Sequence, residues 1–333
     1  MSLAMKREAY DMNRRTVLRG ATAVAAVMGT GPAIAQSSKW PAREISLINP
    51  NAPGASTDLT ARLIAQALEK RLNATVIVKN VVGGAGALGP TTLAQSTPDG
   101  HTFGLVAISS HIAVPNMMNV TYEPWKAFDI IGQVAALRYG IGARADGPIK
   151  SIEEMIAAGK QKQLTYASNN VTNVVAMFQL AKLTGAKFRW VVFPGGVESV
   201  TAAIGGHVDA VIQTVTEMRP QIEANKLRFL ASAAEARWPD YPDVKTLREM
   251  GFNAVSNGPF GYAFPTGVDP AIKERMDKAL ADVMADESVR KQITALGIEA
   301  VYRNGKDYAA LLKSIEVELV PILKETGMAK NPA

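Results

Sequence analysis

Alternation and spacing of apolar residues predict an ordered series of short elements. Glu44-Ile45-Ser46-Leu47-Ile48-Asn49 reads as a strand and residues 50–55 as a Pro/Gly turn. Ser56 is the expected N-cap of a helix whose apolar period, Leu59, Leu63, Ala67 and Leu68, runs to Arg71. The β-branched run Thr75-Val76-Ile77-Val78 is a second strand. A glycine loop over 82–86 leads into a helix from about Leu88, and Pro98-Asp99-Gly100 turns the chain into a strand over 102–108. This order predicts a parallel sheet with helices on its faces.

Residues 129–142 form a longer extended stretch, suited to crossing between two domains. The alternation then resumes. Helices are predicted over 151–159, 174–183, 199–205 and 217–224, and strands over 164–167, 189–193, 210–213 and 228–232. A further strand follows Asn257-Gly258-Pro259 as far as Phe264. The tail reads as helical, over 270–285, 288–296 and 306–326. There is no tandem repeat and no low-complexity linker. Two α/β units joined by extended segments predict two lobes around a cleft, residues 36–137 with 257–333 and residues 138–256. Open α/β sheets take ligands beyond the carboxyl ends of their strands, and the Gly-, Ser- and Asn-rich loops fall at those ends here.

Composition narrows the chemistry. The chain has 333 residues, 47% of them apolar, which excludes wholesale disorder. It has no cysteine, so disulfides, thiolate metal sites and a cysteine nucleophile are out, and its three histidines argue against a multi-histidine metal site. The first 35 residues read as an export leader. Lys6, Arg7, Arg14, Arg15 and Arg19 precede an uncharged Ala/Val-rich run that ends in Ala33-Ile34-Ala35, a cleavage pattern. Asn13-Arg14-Arg15-Thr16-Val17-Leu18-Arg19 resembles the twin-arginine export box. Cleavage after Ala35 removes five positive and two negative charges and takes the net charge from +6 to +3. That is too mild to point to nucleic acid. The mature chain is expected to be soluble, periplasmic and monomeric.

Catalytic signatures are weak. Gly84-Ala85-Gly86-Ala87-Leu88-Gly89 fits a dinucleotide-binding spacing, but the next strand ends Ile108-Ser109-Ser110 without the acid that would hold a ribose. The plainer reading is a tight turn whose backbone N–H groups, Gly86 among them, face an anion. A nucleophile elbow is absent. His101 and His207 sit in turns and read as surface residues, whereas Ser110 and His111 at a strand end could approach a ligand. Binding is better supported. Gly54, Ala55, Ser56, Thr57 and Asp58 lie at a helix N-terminus, where unpartnered N–H groups and the positive end of the helix dipole favour a carboxylate. Ser168, Asn169, Asn170, Thr172 and Asn173 repeat the arrangement in the second unit. Asp58 is expected to order its loop rather than meet the anion. No metal or cofactor is implied.

Several of these segments, taken in order, resemble the extracytoplasmic solute receptors of tripartite tricarboxylate transporters, the Bug family. Trp40-Pro41-Ala42-Arg43-Glu44-Ile45 is similar to the family's opening. Ala52-Pro53-Gly54-Ala55-Ser56-Thr57-Asp58 resembles its A-P-G-G-x-x-D loop, and residues 80–89 its N-R-P-G-A-G-G-x-x-G loop. Pro98-Asp99-Gly100-His101-Thr102, Tyr122-Glu123-Pro124 with Phe128, Gly205-Gly206-His207-Val208-Asp209 and Pro239-Asp240-Tyr241-Pro242-Asp243-Val244 resemble further family motifs. The resemblance spans about residues 40–327. It implies an α/β, type II periplasmic-binding-protein-like fold that closes on a small carboxylate and delivers it to membrane permease subunits. It also brings Phe193, Gly195 and Gln213 to the cleft. Here Val174, Pro194 and Gln213 stand where the family often has histidine, lysine and aspartate. The loss of polar partners favours an aromatic or apolar carboxylate over citrate.

Two other classes compete, a twin-arginine-exported oxidoreductase with a bound cofactor and a sensory or chaperone-like receptor on the same fold. The leader reading has its own test. A double Arg14→Lys/Arg15→Lys variant is expected to stay in the cytoplasm at precursor size by fractionation and immunoblot. Unaltered export of that variant in cells lacking the twin-arginine translocase would exclude the route.

Overall fold

The computed structural model describes residues 40–325 and 327–330, so the leader read in residues 1–35 lies outside the described residues. Three parallel strands open the fold. β1 (Ile45–Asn49), buried along its whole length, pairs with β2 (Val76–Asn80) on one side and β3 (Thr102–Ala107) on the other. The crossovers are α1 (Ser56–Leu72) and α2 (Leu88–Ala94). α1 buries Ala61, Ile64, Ala65, Leu68 and Leu72 and stops at Asn73, which takes a left-handed conformation suited to a helix C-terminus. After β3 a π-helical turn (Ser109–Ala113) runs into α3 (Val114–Met117), and α4 (Pro124–Ala127) leads into the 17-residue strand β4 (Phe128–Arg144).

The second group comprises α5 (Ile152–Gln161), β5 (Leu164–Ser168), α6 (Val171–Thr184), β6 (Phe188–Val192), α7 (Gly196–Ile204), β7 (Ala210–Thr214), α8 (Val215–Glu223) and β8 (Leu227–Ser232). β5 pairs in parallel with β6 and β7. The chain returns through β9 (Asn257–Pro265) and closes with α9 (Pro270–Ala285), α10 (Glu287–Ala295), β10 (Glu299–Asn304) and α11 (Gly305–Glu325). The strand order is β2-β1-β3-β9-β4-β7-β5-β6, with β8 and β10 also on β4.

The sheet differs from expectation in two places. It is mixed, because β9 and β4 lie antiparallel in its centre. β10 falls between the predicted tail helices 288–296 and 306–326, where the sequence predicts no element. Its Ala300 and Tyr302 are only half-buried, and it pairs with Gly132, Gln133, Ala135 and Ala136 of β4 across a register shift. Three consecutive apolar residues, Ala300, Val301 and Tyr302, on a half-exposed strand leave no alternation in the sequence. Among the described residues no helix is long and apolar enough to cross a membrane.

Several motif residues hold this frame. Asp209 accepts hydrogen bonds from Thr165 N (2.7 Å) and Thr165 Oγ1 (2.9 Å), tying the turn before β7 to β5. His101 is buried rather than at the surface. Its Nε2 accepts from Ala42 N at 3.1 Å, while Asp99 accepts from His101 N and from Arg43. His207 is exposed as expected.

β4 and β9 approach so closely that a Cβ at Gly261 would lie 1.9 Å from Gly132 O, and backbone there cannot move aside without breaking both ladders. Gly261→Ala is therefore expected to cost about 3 kcal/mol, the upper end of ordinary overpacking penalties. Urea denaturation checks this, and an unchanged midpoint would show that the crossing tolerates spreading.

Candidate functional site

A cavity of about 80 Å³ lies where strand ends of the two groups face each other. Three strand-to-helix junctions supply its polar rim: Asn51, Ala55, Ser56 and Thr57 between β1 and α1; Asn169, Asn170, Thr172 and Asn173 between β5 and α6; and Gln213, Thr214 and Glu217 between β7 and α8. Leu105, Ala107, Ile108, Leu137, Pro259 and Phe260 supply apolar surface from β3, β4 and β9, joined by Ser109, Tyr139 and Gly258.

The first junction is stretched open by its own carboxylate. Asp58, 1% exposed, accepts from Gly54 N (2.8 Å), Asn80 Nδ2 (2.8 Å) and both Arg62 Nε and Nη2 (3.0 Å each). Gly54 meets this bond at φ +81°, where a side chain would be strained. Burial alone would raise the Asp58 carboxyl. The hydrogen bonds of Arg62, Gly54 and Asn80 and the Arg62 charge outweigh it and hold the carboxyl below its ordinary value.

Ser56 is not the N-cap. Ala55 takes that position, and it has no side-chain oxygen to offer. The N–H groups of Ser56 and Thr57 consequently have no acceptor among the described residues, and both residues line the cavity. The second junction is the opposite case. Asn170 caps α6 itself, its Oδ1 accepting from Thr172 N (3.0 Å) and Asn173 N (3.3 Å). The side-chain amides of this wall bond one another. Asn173 Nδ2 donates to Asn169 Oδ1 (2.9 Å) and Gln213 Oε1 (3.1 Å), and Gln213 Nε2 donates to Asn169 Oδ1 (2.9 Å).

The third junction reaches across to the first. Ser56 Oγ donates to Glu217 Oε1 at 3.1 Å and lies 3.1 Å from Thr214 Oγ1, which itself donates to Glu217 Oε2. Removal of water raises the Glu217 carboxyl, against the opposing effect of hydrogen bonds from Thr214 and Ser56. Nearby, Thr216 Oγ1 donates to Leu296 O at 2.9 Å. These contacts join the two sides and leave the cavity narrow.

The predicted residues thus divide. Ala55, Ser56, Thr57, Asn169, Asn170, Thr172, Asn173 and Gln213 line the cavity; the others do not. Gly54 and Asp58 hold the loop from behind. Gly86 lies in a short 3₁₀ turn. Ser110 Oγ is used by the backbone of Ala107, and His111 packs between Trp125 and Phe128, both rings 5.3 Å away. Burial pushes His111 down to about 4, so it is neutral at ordinary pH and offers no cation. Ser168 is buried, its carbonyl accepting from Phe193 N and Trp190 Nε1. Phe193 packs with the cluster of Val200 and Val211, and Gly195 is the N-cap of α7. Sequence reasoning missed Thr214 and Glu217, although the strand-end rule that selected the other two junctions applies equally to β7. Tyr139, Leu137 and Phe260 had no local signal, because only the crossing of β4 and β9 brings them to the cavity. No group of three or more His, Asp or Glu that could hold a metal occurs among the described residues.

Residues 60–328 match the profile of the tripartite tricarboxylate transporter family receptors, TctC. The chain belongs to this family of solute-binding receptors. It is 34% identical over 328 residues to the "UPF0065 protein in gbd 5'region" of Cupriavidus necator, covering 96% of this chain and 99% of that one. The solved periplasmic binding protein BugD is similar at 25% identity and a TM-score of 0.79, over 88% of this chain and all (100%) of BugD. A Rhodopseudomonas palustris protein solved with adipate shares the fold at 22% identity and a TM-score of 0.81, over 87% of this chain and 99% of that one. The fold is accordingly of the α/β periplasmic-binding-protein type that the motifs implied.

The lowered Asp58 carboxyl predicts a pH signature. A depressed folded value contributes stability above the ordinary aspartate range of about 3.9, and that contribution is lost as pH falls through the depressed value. Asp58→Asn is expected to cost about 2 kcal/mol near neutral pH, typical of hydrogen bonds to a charged group, with the gap to wild type closing toward pH ~2. Melting temperatures across that range check it; a pH-independent gap would mean that the charge is not what matters.

Proposed function

We propose that this chain captures a small organic carboxylate between two lobes and delivers it to the membrane permease subunits of a tripartite tricarboxylate-type transporter. The lobes would be residues 36–137 with 257–333 and residues 138–256. The change of β4's partner from β9 at Arg138 to β7 at Tyr139 supports that division. Export by the twin-arginine leader, with cleavage after Ala35, would place the receptor in the periplasm.

One observation carries the ligand reading. The first turn of α1 presents N–H groups of Ser56 and Thr57 to the cavity with no acceptor, at the positive end of a 17-residue helix. A carboxylate there would complete their hydrogen bonding and meet a favourable dipole. The rest of the ligand would lie on Leu105, Leu137, Pro259 and Phe260 rather than on Phe193. Among the described residues lining the cavity there is no Lys, Arg or His, so further carboxylates would be desolvated without a cation. This supports an aromatic or apolar carboxylate over citrate.

Titration calorimetry with 3-phenylpropanoate, adipate and citrate tests the reading. 3-Phenylpropanoate is expected to bind roughly tenfold or more tighter than citrate, given the cost of unpaired buried charge. Tighter citrate would refute the preference, and failure of all three, with no thermal shift from a wider set of acids, would refute the carboxylate itself. Ser56→Pro, which removes an N–H at a helix position that accepts proline, is expected to weaken binding roughly tenfold while the protein stays folded.

A further inference from the structure

The cavity's two polar walls are unlike in hydrogen-bonding sense. On the α1 side, backbone N–H donors of Ser56 and Thr57 are open. On the facing side several donors are already used. The two amide hydrogens of Asn173 and one of Gln213 go to Asn169 and Gln213 oxygens, and the α6 N–H groups of Thr172 and Asn173 go to Asn170. Asn169 and Thr172 keep side-chain donors here, and two acceptors stand beside them. Asn173, 1% exposed, has its Oδ1 buried with no donor among the described residues. Glu217 adds a carboxylate that accepts hydroxyl hydrogen bonds from Ser56 and Thr214 and backbone N–H bonds from Thr214 and its own residue, with no cation beside it among the lining residues. It is the one Asp, Glu, Lys, Arg or His among the described lining residues.

A ligand that is only an acid satisfies the α1 wall and offers no donor to Asn173 Oδ1 or Glu217. It also brings its negative charge close to Glu217, since Ser56 touches both. A buried acceptor and a half-buried carboxylate call for a donor, and a cationic one answers the charge as well. We infer that Glu217 and Asn173 select a ligand that carries an ammonium group beside its carboxylate, so that the site takes a small apolar amino acid in preference to the corresponding amine-free acid. This rests on the reading of the α1 N-terminus as the carboxylate site. The geometry fits. The α-carboxylate meets the Ser56 and Thr57 N–H groups, the ammonium faces Glu217 and Asn173 Oδ1, and the side chain lies along Leu105, Leu137 and Phe260. Glu217 is here a specificity-determining residue. It would admit zwitterions and repel dicarboxylates.

Matched pairs that differ only in the amine test this: alanine with propanoate, leucine with 4-methylpentanoate, and phenylalanine with 3-phenylpropanoate, titrated calorimetrically into wild type and Glu217→Gln. In wild type the amino acid of at least one pair is expected to bind roughly tenfold or more tighter than its amine-free partner, the scale of a charge-assisted hydrogen bond. In Glu217→Gln that ratio is expected to fall to about one or invert, through weaker amino-acid binding and equal or tighter binding of the plain acid. Binding of the plain acid and the unliganded melting temperature report whether the variant is folded. Amine-free acids binding as well as or better than amino acids in wild type would overturn this inference alone and leave the carboxylate site standing. A ratio unchanged in Glu217→Gln would remove Glu217 from the role. Failure of every member of every pair would overturn the carboxylate reading and this inference with it.

Discussion

β4 is hydrogen-bonded to four other strands, and both halves of the molecule are built outward from it. Its first part carries β9 and β10, and its last residues carry β7 and β8. A strand can serve so many neighbours only if side chains do not wedge them apart. Glycines stand where the approach is tightest. A Cβ at Gly140 would sit 2.4 Å from Phe229, one at Gly142 2.8 Å from Met218, and one at Gly132 2.8 Å from Arg303 O. The cavity inherits its floor from this crossing, because Leu137 and Tyr139 of β4 and Gly258, Pro259 and Phe260 of β9 line it. The floor is rigid for the same reason that the two halves are joined.

On that floor the character of the site is set by how each strand-to-helix junction disposes of its hydrogen bonds. All three face one space, and no two do the same thing. The first leaves its helix uncapped because Ala55 cannot cap and Asp58 is committed to Gly54, Asn80 and Arg62. The second closes on itself through Asn170. The third puts an acid, Glu217, within reach of the first. A polar cleft is therefore neither uniformly cationic nor uniformly neutral. Unpartnered backbone donors lie on the α1 side, and the single acid of the lining, Glu217, reaches them from α8.

Several motifs that carry the family resemblance lie away from the cavity. Asp99 and His101 hold the N-terminal segment, Asp209 pins the turn before β7, and Asn80 braces the loop around Asp58. They persist in recognisable spacing because each satisfies buried backbone groups of its own neighbourhood, an obligation that local sequence can state. A residue that lines the cavity can lack such a local role. Glu217 in the first turn of α8 looks like any acid placed at a helix start, and only its contact with Ser56 distinguishes it.

The chain by itself determined the order of the main elements, the longer helices and most strands, the long crossing strand, and the first two junctions as places where polar residues meet strand ends. These follow from short-range rules: apolar period, turn residues and helix termini. Tertiary structure decided the rest. Long-range pairing alone put antiparallel β9 and β4 at the sheet's centre and β10 on its edge. Packing withdrew His111 into an aromatic pocket and turned Phe193 toward a core cluster. Ser56, Thr214 and Glu217 are brought together over separations of 158 and 161 residues. No local pattern encodes such a meeting, because the free energy of each contact depends on which groups the whole fold leaves without partners.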